Sequence, residues 1–264
     1  MLGTGNALVT KCYNTCFTIK DNDKYLLVDG GGGNQILSQL EMAGINYMDL
    51  RHIFVTHKHI DHILGIVWLI RMILQGVGVN MAGVNEYINS YYVYGHDEVI
   101  NIVENLSRTL IRDKEVKLIG KVLHFVPVSD SEELEIIGHK FKFFDIHSDK
   151  AKQFGFSIDN KKLVCCGDEP YNETLQDYAQ NAEWLMHEAF CLDSEADIFN
   201  PYEKKHSTVK DACLKAQELN VKNLILYHTE DKNITNRKEL YTKEGKQYFN
   251  GNLFIPDDLE RIKI

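Results

Sequence analysis

Proline is scarce in this chain, 4 in 264 residues. No Pro/Ser-rich stretch or shift of composition marks a linker, and no repeat is evident, so residues 1–264 are read as one domain of a size that a single core fills. The apolar run after His62 is too short and too close to charged residues to suggest a membrane span. Nothing resembling a basic region and apolar leader precedes Gly3-Thr4-Gly5, and the first strand at Met1-Leu2 looks short; no export signal is read, and a cytoplasmic location is expected. Nor does a Lys/Arg-rich patch stand out among 29 basic and 38 acidic residues, a net charge of −9. A protein that tracks a long nucleic-acid backbone gains its affinity by neutralising phosphates, so RNA is disfavoured as a partner, although folding can gather Lys150, Lys152, Lys204 and Lys205. The six cysteines lack metal-site spacing. Cys165 and Cys166 alternate to opposite faces of a strand and are badly placed to bridge each other, and Cys12 and Cys16 have no second pair, so free thiols in a reducing compartment are expected.

What the chain does have is 44% hydrophobic residues arranged in alternating strand and helix signals, the pattern of the α/β class. Helices are expected over residues 34–43, 63–74, 98–110 and 209–219. The second of these is apolar almost all round, which predicts burial against a sheet or a partner subunit.

The densest chemistry lies in Thr56-His57-Lys58-His59-Ile60-Asp61-His62, directly after the apolar run Ile53-Phe54-Val55. Imidazole and carboxylate are ligands for zinc and related divalent ions. In an extended loop His57 and His59 point the same way, onto one ion, and Asp61 and His62 face a second position. Further ligands must come from distant segments, and three strand-like runs end on candidates. The run 141–146 ends at His147, 162–167 at Asp168, and 223–227 at His228. Gly30 to Gly33 follow the strand-like Tyr25-Leu26-Leu27-Val28-Asp29, but no Gly-Lys-Ser/Thr follows, so they are read as a permissive turn rather than a phosphate cradle. His52, His96, His124 and His139 have no partners in sequence and are expected in structural roles. Tyr87, Tyr91, Tyr92 and Tyr94 are read as core or dimer packing before base stacking.

These stretches, with Leu2-Gly3-Thr4-Gly5, Leu27-Val28-Asp29-Gly30, Gly65, His187-Glu188-Ala189 and His206-Ser207-Thr208, resemble the metallo-β-lactamase superfamily. Within it the pairing of His187-Glu188-Ala189 with His206-Ser207-Thr208 is similar to the ribonuclease Z-like branch of metal-dependent phosphodiesterases. The resemblance covers nearly the whole chain and implies an αββα sandwich, two mixed sheets between outer helices. It also implies two divalent ions, zinc first, with manganese or iron as alternatives. His57, His59 and His147 would hold one ion, Asp61, His62 and His228 the other, and Asp168 would bridge them. Two such ions can share a hydroxide and clamp a phosphoryl displacement. Asp61 would add general-base character, His206 would protonate the leaving oxygen with Glu188 holding its imidazole, and Asp29 would orient the metal-binding loop without touching metal.

The resulting expectation is a dinuclear phosphodiesterase for small phosphodiester or nucleotide-like substrates, with no membrane partner and a homodimer in view. Ribonuclease Z enzymes often carry a protruding arm between the counterparts of His147 and Asp168; only a hairpin fits here, and Gly95-His96 is not the Gly-Pro pair of another arm type. Transfer-RNA 3′ processing without the usual arm is the runner-up. Hydrolysis of an ester, lactone or thioester, and a non-enzymatic metal sensor, are further alternatives. A β-lactamase proper is not expected, since such enzymes are generally exported.

Overall fold

A computed structural model describes the backbone of residues 1–80 and 90–264. Tyr87 lies outside the described residues. The chain runs β1 (Phe17–Asp21), β2 (Lys24–Val28), α1 (Gln35–Ala43), β3 (His52–Phe54), α2 (Ile60–Asn80), β4 (Tyr91–Gly95), α3 (Asp97–Leu110), α4 (Asp113–Val116) and β5 (Leu123–Pro127). It continues through β6 (Glu133–Ile136), β7 (His139–Asp145), β8 (Phe154–Ile158), β9 (Leu163–Cys165), α5 (Gln176–Ala179) and β10 (Trp184–Glu188). The last elements are α6 (Ala196–Phe199), α7 (Val209–Glu218), β11 (Asn223–Tyr227), α8 (Arg237–Gly245) and β12 (Asn252–Phe254).

The first half builds a five-stranded sheet in the order β1-β2-β3-β4-β5, antiparallel at β1/β2 and parallel after it. The second half builds a seven-stranded sheet, β12-β11-β10-β9-β8-β7-β6, parallel from β12 to β9 and antiparallel from there to β6. Both sheets are mixed, as expected. They meet through aromatic side chains: the Phe54 ring of β3 sits 4.9 Å from Phe143 of β7 and edge-on, 5.7 Å, to Phe156 of β8. One outer layer packs α1, α2 and α3 on the first sheet through Ile36, Ile66, Ile70 and Val103. The other packs α7 and α8 on the second through Val209, Ala212, Cys213 and Tyr241.

The expected helices are present, but α2 runs Ile60–Asn80 rather than 63–74, and its earlier start takes Asp61 and His62 out of the loop and into a first helical turn. The lengthened helix is also long and apolar enough to cross a bilayer, with mean hydropathy 1.5 over Ile60–Gly78, yet 61% of that stretch is buried in the fold. Ile66, Leu69, Ile70, Ile73 and Leu74 have no more than a trace of exposed surface, so its apolarity serves the core.

The glycine run after β2 has a packing function. Gly30 N donates to His62 O at 2.8 Å, Gly65 N donates to Gly31 O at 2.9 Å, and a Cβ on Gly65 would fall 1.8 Å from Gly30 O. Only two glycines let the end of β2 lie this close to the start of α2. The four other histidines lie outside the ligand groups, His139 pairing with Asp159 at 2.5 Å. His96 caps α3, accepting from Val99 N, while His52 and His124 stack on Tyr92. Tyr91 and Tyr94 are buried in the core. All six cysteines are free, and all but Cys12 are buried.

Candidate metal centre

Three parallel strands deliver the site at their carboxyl ends, where an open α/β sheet leaves backbone ends and loops free to face a ligand. β3 ends at Phe54 and releases the loop 55–59. β9 ends at Cys165, and Gly167, at φ +79°, turns the chain so that Asp168 faces inward. β11 ends at Tyr227 and delivers His228 in the left-handed region at φ +58°. Tyr227 also donates its hydroxyl to Gly167 O, tying two of these ends together.

Among the described residues the side chains converge in two groups of three, His57 with His59 and Asp168, and Asp61 with His62 and His228, and a third such group, Glu188 with His206 and His228, adjoins the second; ligand atoms within each lie inside 4.8 Å of one another. One oxygen faces the first two groups. Asp168 Oδ2 is 3.5 Å from His57 Nε2, 3.4 Å from His62 Nε2 and 3.5 Å from His228 Nε2. Asp61 Oδ2 stands 3.4 Å from His62 Nε2 and 3.8 Å from His228 Nε2, and His59 Nδ1 is 2.8 Å from His57 Nε2.

These residues fit divalent cations. Among the described residues, Nε2 of His62 and both ring nitrogens of His228 are buried without a hydrogen-bond partner, an arrangement that costs about 1–3 kcal/mol per group unless something else satisfies the lone pair. The set of imidazole nitrogens and carboxylate oxygens is the donor chemistry of zinc and its neighbours.

Electrostatics prepare the ligands. Burial pushes the His57 and His59 imidazoles down, toward the neutral form in which a ring nitrogen can bind an ion. Burial works against ionisation of Asp61 and Asp168, but the surrounding rings, chiefly His62 for Asp61 and His57 for Asp168, overcome it and hold both carboxyls well below the usual range. For His62 burial is outweighed by the carboxylates of Asp61 and Asp29, which raise it.

Asp29 does not reach the cluster centre. It accepts from His62 Nδ1 at 2.7 Å, from Thr56 N at 2.9 Å and from the Thr56 hydroxyl at 2.7 Å, and that hydroxyl is 2.9 Å from His57 Nδ1. A chain from Asp29 through Thr56 to His57 therefore favours the tautomer that leaves His57 Nε2 unprotonated, and the direct bond does the same for His62.

Glu188 is fully buried at the end of β10 and His206 is nearly so, with Nδ1 3.4 Å from Glu188 Oε2. The His206 ring stacks on Phe190 at 4.9 Å and lies 5.1 Å from His228. The neighbours in the two signatures serve geometry. Ser207 N donates to Glu188 Oε1. Thr208 caps α7 in a reciprocal box with Asp211. His187 Nε2 accepts from Tyr171 N at 3.1 Å.

His147 departs from its expected place. Its ring is 59% exposed, its nearest carboxylate is Asp145 at 4.0 Å, and it belongs to none of these groups of three. The backbone explains this: His147 sits at φ +56° with its amide donated to Asp145 Oδ1, a turn that carries the ring away from His57 and His59. Gln153, which sequence reasoning missed, stands in that neighbourhood instead, with Nε2 donating to Asp168 Oδ1 at 2.6 Å. An amide in a loop carries no metal-ligand signal; the only cue was its position just before a strand.

The architecture matches solved metallo-β-lactamase folds. YhfI from Bacillus subtilis, a metallo-β-lactamase fold protein, superposes with a TM-score of 0.73 at 18% identity, covering 97% of this chain and 94% of that one. A diphosphatase from the PhnP family superposes with a TM-score of 0.72 at 14% identity, covering 100% and 96%. In sequence, ribonuclease Z of Pyrococcus abyssi is 27% identical over 312 residues, covering 100% of this chain and 94% of its own length. The chain is a metal-dependent hydrolase of the metallo-β-lactamase superfamily, ribonuclease Z-like branch. The family described as Anti-Pycsar protein Apyc1 matches residues 1–250, and the chain belongs to it.

Proposed function

We propose that this protein is a dinuclear phosphodiesterase that acts on small, nucleotide-like phosphodiesters. The observation that carries the reading is Asp168 Oδ2, within 3.5 Å of an Nε2 atom in each of the two ligand groups. His57, His59 and Asp168 would hold one ion, and Asp61, His62, His228 and the same Asp168 the other. His147 would join the first set only after its loop turns inward. Zinc is the first choice of metal, with manganese and iron open to test.

Bound divalent ions supply Lewis acidity for the phosphoryl group and lower the pKa of water to about 7. The chain's own groups do the rest. Asp61, ionised and buried, orients the attacking water by accepting a hydrogen bond from it. His206, with Nδ1 turned to Glu188, leaves Nε2 to hand a proton to the departing oxygen. Phe190 holds the His206 ring flat, so the donor keeps its aim.

Charge supports a small substrate. Three of the four lysines named from sequence are paired with carboxylates: Lys150 lies 3.4 Å from Glu169, Lys152 2.6 Å from Asp97, and Lys205 pairs with Asp149. Lys204 places its ammonium 5.0 Å over the Phe190 ring. Free thiols accord with a cytoplasmic setting.

Transfer-RNA 3′ processing is the second reading, favoured by the ribonuclease Z relative that aligns over the whole chain. Elemental analysis and a side-by-side assay on bis(p-nitrophenyl) phosphate, a cyclic nucleotide, a precursor transfer RNA and a lactone panel separate the readings. The expected result is two ions per chain and turnover of the small diesters. Efficient precursor cleavage at physiological salt, with affinity falling steeply as salt rises, a log-log slope of about −0.7 to −0.9 per phosphate contact, would promote the second reading.

A further inference from the structure

Asp168 is asked to place one oxygen between two ligand groups, and a carboxylate left to itself rotates. Its other oxygen is held. Gln153, buried at 1% exposure just before β8, donates Nε2 to Asp168 Oδ1 at 2.6 Å, and the same nitrogen stands 3.2 Å from His57 Nδ1. The backbone locks this side chain's origin: Gln153 O accepts from Ile146 N at 3.0 Å, and Phe154 N donates to Thr56 O at 3.0 Å, which ties the start of β8 to the loop that carries His57. The seat for the amide is built by Gly167, where a Cβ would fall 2.7 Å from Gln153 Nε2. A glycine there both permits φ +79° and leaves room for the amide beside the aspartate that follows it.

We propose that Gln153 is a positioning residue that divides the labour of the Asp168 carboxylate, engaging Oδ1 so that Oδ2 alone is presented to both ions. This rests on the two-ion reading. With the amide donor gone, Asp168 is free to turn both oxygens toward one ion, and the other loses its shared ligand. Partners of metal ligands at this remove typically contribute about 10–100-fold in metal affinity.

The test uses the full chain stripped with chelator, then titrated with zinc against a chromophoric chelator, and in parallel loaded with cobalt(II) for electron paramagnetic resonance. Wild type should take up two ions, with exchange coupling between the two cobalt centres; uptake of one ion or none refutes the two-ion reading itself, whatever Gln153 does. Gln153→Met keeps length and loses the donor. It should bind one of the two ions about 10–100-fold more weakly and lose or weaken the cobalt coupling, with the metal-free melting temperature near that of wild type. Wild-type affinity for both ions with intact coupling overturns the proposal, as does a loss matched by an equal fall in metal-free stability.

Discussion

Asp29 and His62 are locked together out of reach of solvent, with His62 Nδ1 2.7 Å from Asp29 Oδ2. That bond leaves Nε2 as the only nitrogen His62 can offer an ion, and Nε2 is the atom without a partner.

Asp29→Asn should therefore weaken binding at the site of Asp61, His62 and His228 by about 10–100-fold, since an amide can offer His62 a donor as readily as an acceptor and no longer fixes the tautomer. Chelator-competition titration reads the change. Unaltered affinity for both ions would contradict the orienting role of Asp29.

Asp168→Ala should remove both ions together, because among the described residues Asp168 is the one whose oxygen lies within 3.5 Å of imidazole nitrogens in both groups. Elemental analysis after gel filtration decides this. A variant that retains one ion at full occupancy would show that the two sites form independently.

Zinc affinity should rise with pH above the ordinary imidazole range. In stripped protein, burial of His62 is outweighed by Asp61 and Asp29, so its proton is held at a raised value. That proton stabilises the metal-free fold fully below about 6.5 and is lost as pH climbs through the raised value. Zinc must displace it, which gives up to about tenfold in affinity per pH unit in that window. Calorimetry in buffers of different ionisation enthalpy should count proton release on binding; a count of zero would place His62 neutral.

His206→Ala should lower turnover of diesters with poor leaving groups by about 10²–10⁴, while p-nitrophenyl esters, whose leaving group needs little protonation, lose far less. Equal losses on both, together with a lower melting temperature, would leave the Glu188–His206 contact a purely structural one.

Gly65→Ala tests the seam between β2 and α2. A Cβ there would meet Gly30 O at 1.8 Å, so the seam must open at a cost of at least about 1–3 kcal/mol, a fall of several degrees in melting temperature. Scanning calorimetry of the stripped protein measures it, and an unchanged transition would mean that the backbone there yields freely.

The parts of this molecule that were legible in sequence are those set by local pattern. β11 matches its apolar run residue for residue, and the crowding of His57, His59, Asp61 and His62 marks candidate ligands before any fold is known. Asp168 and His228 can be named beside them because strand ends are where a sheet exposes its chain, and the fold brings both to the same cluster. What escaped depends on distant neighbours. The three-residue extension of α2 follows from Gly30 accommodating the helix start, a contact across 35 positions that no window of residues records. His147 was placed by a strand-end rule that holds for the backbone but not for a ring turned outward by a left-handed residue. Gln153 left no mark at all, because an amide becomes informative only when the carboxylate it holds is already in view.

The position of Asp61 and His62 on the first turn of α2 has a bearing on how this enzyme can change. That helix is buried in the core of the first half, so two candidate ligands are mounted on a girder that tolerates little alteration. The segments 148–152 and 201–205 are joined to each other by Lys150, which donates to Lys204 O and Lys205 O at 3.3 and 3.4 Å. New substrates are then expected to be accommodated by rewriting those two segments as a linked pair, with Asp61, His62 and His206 left in place.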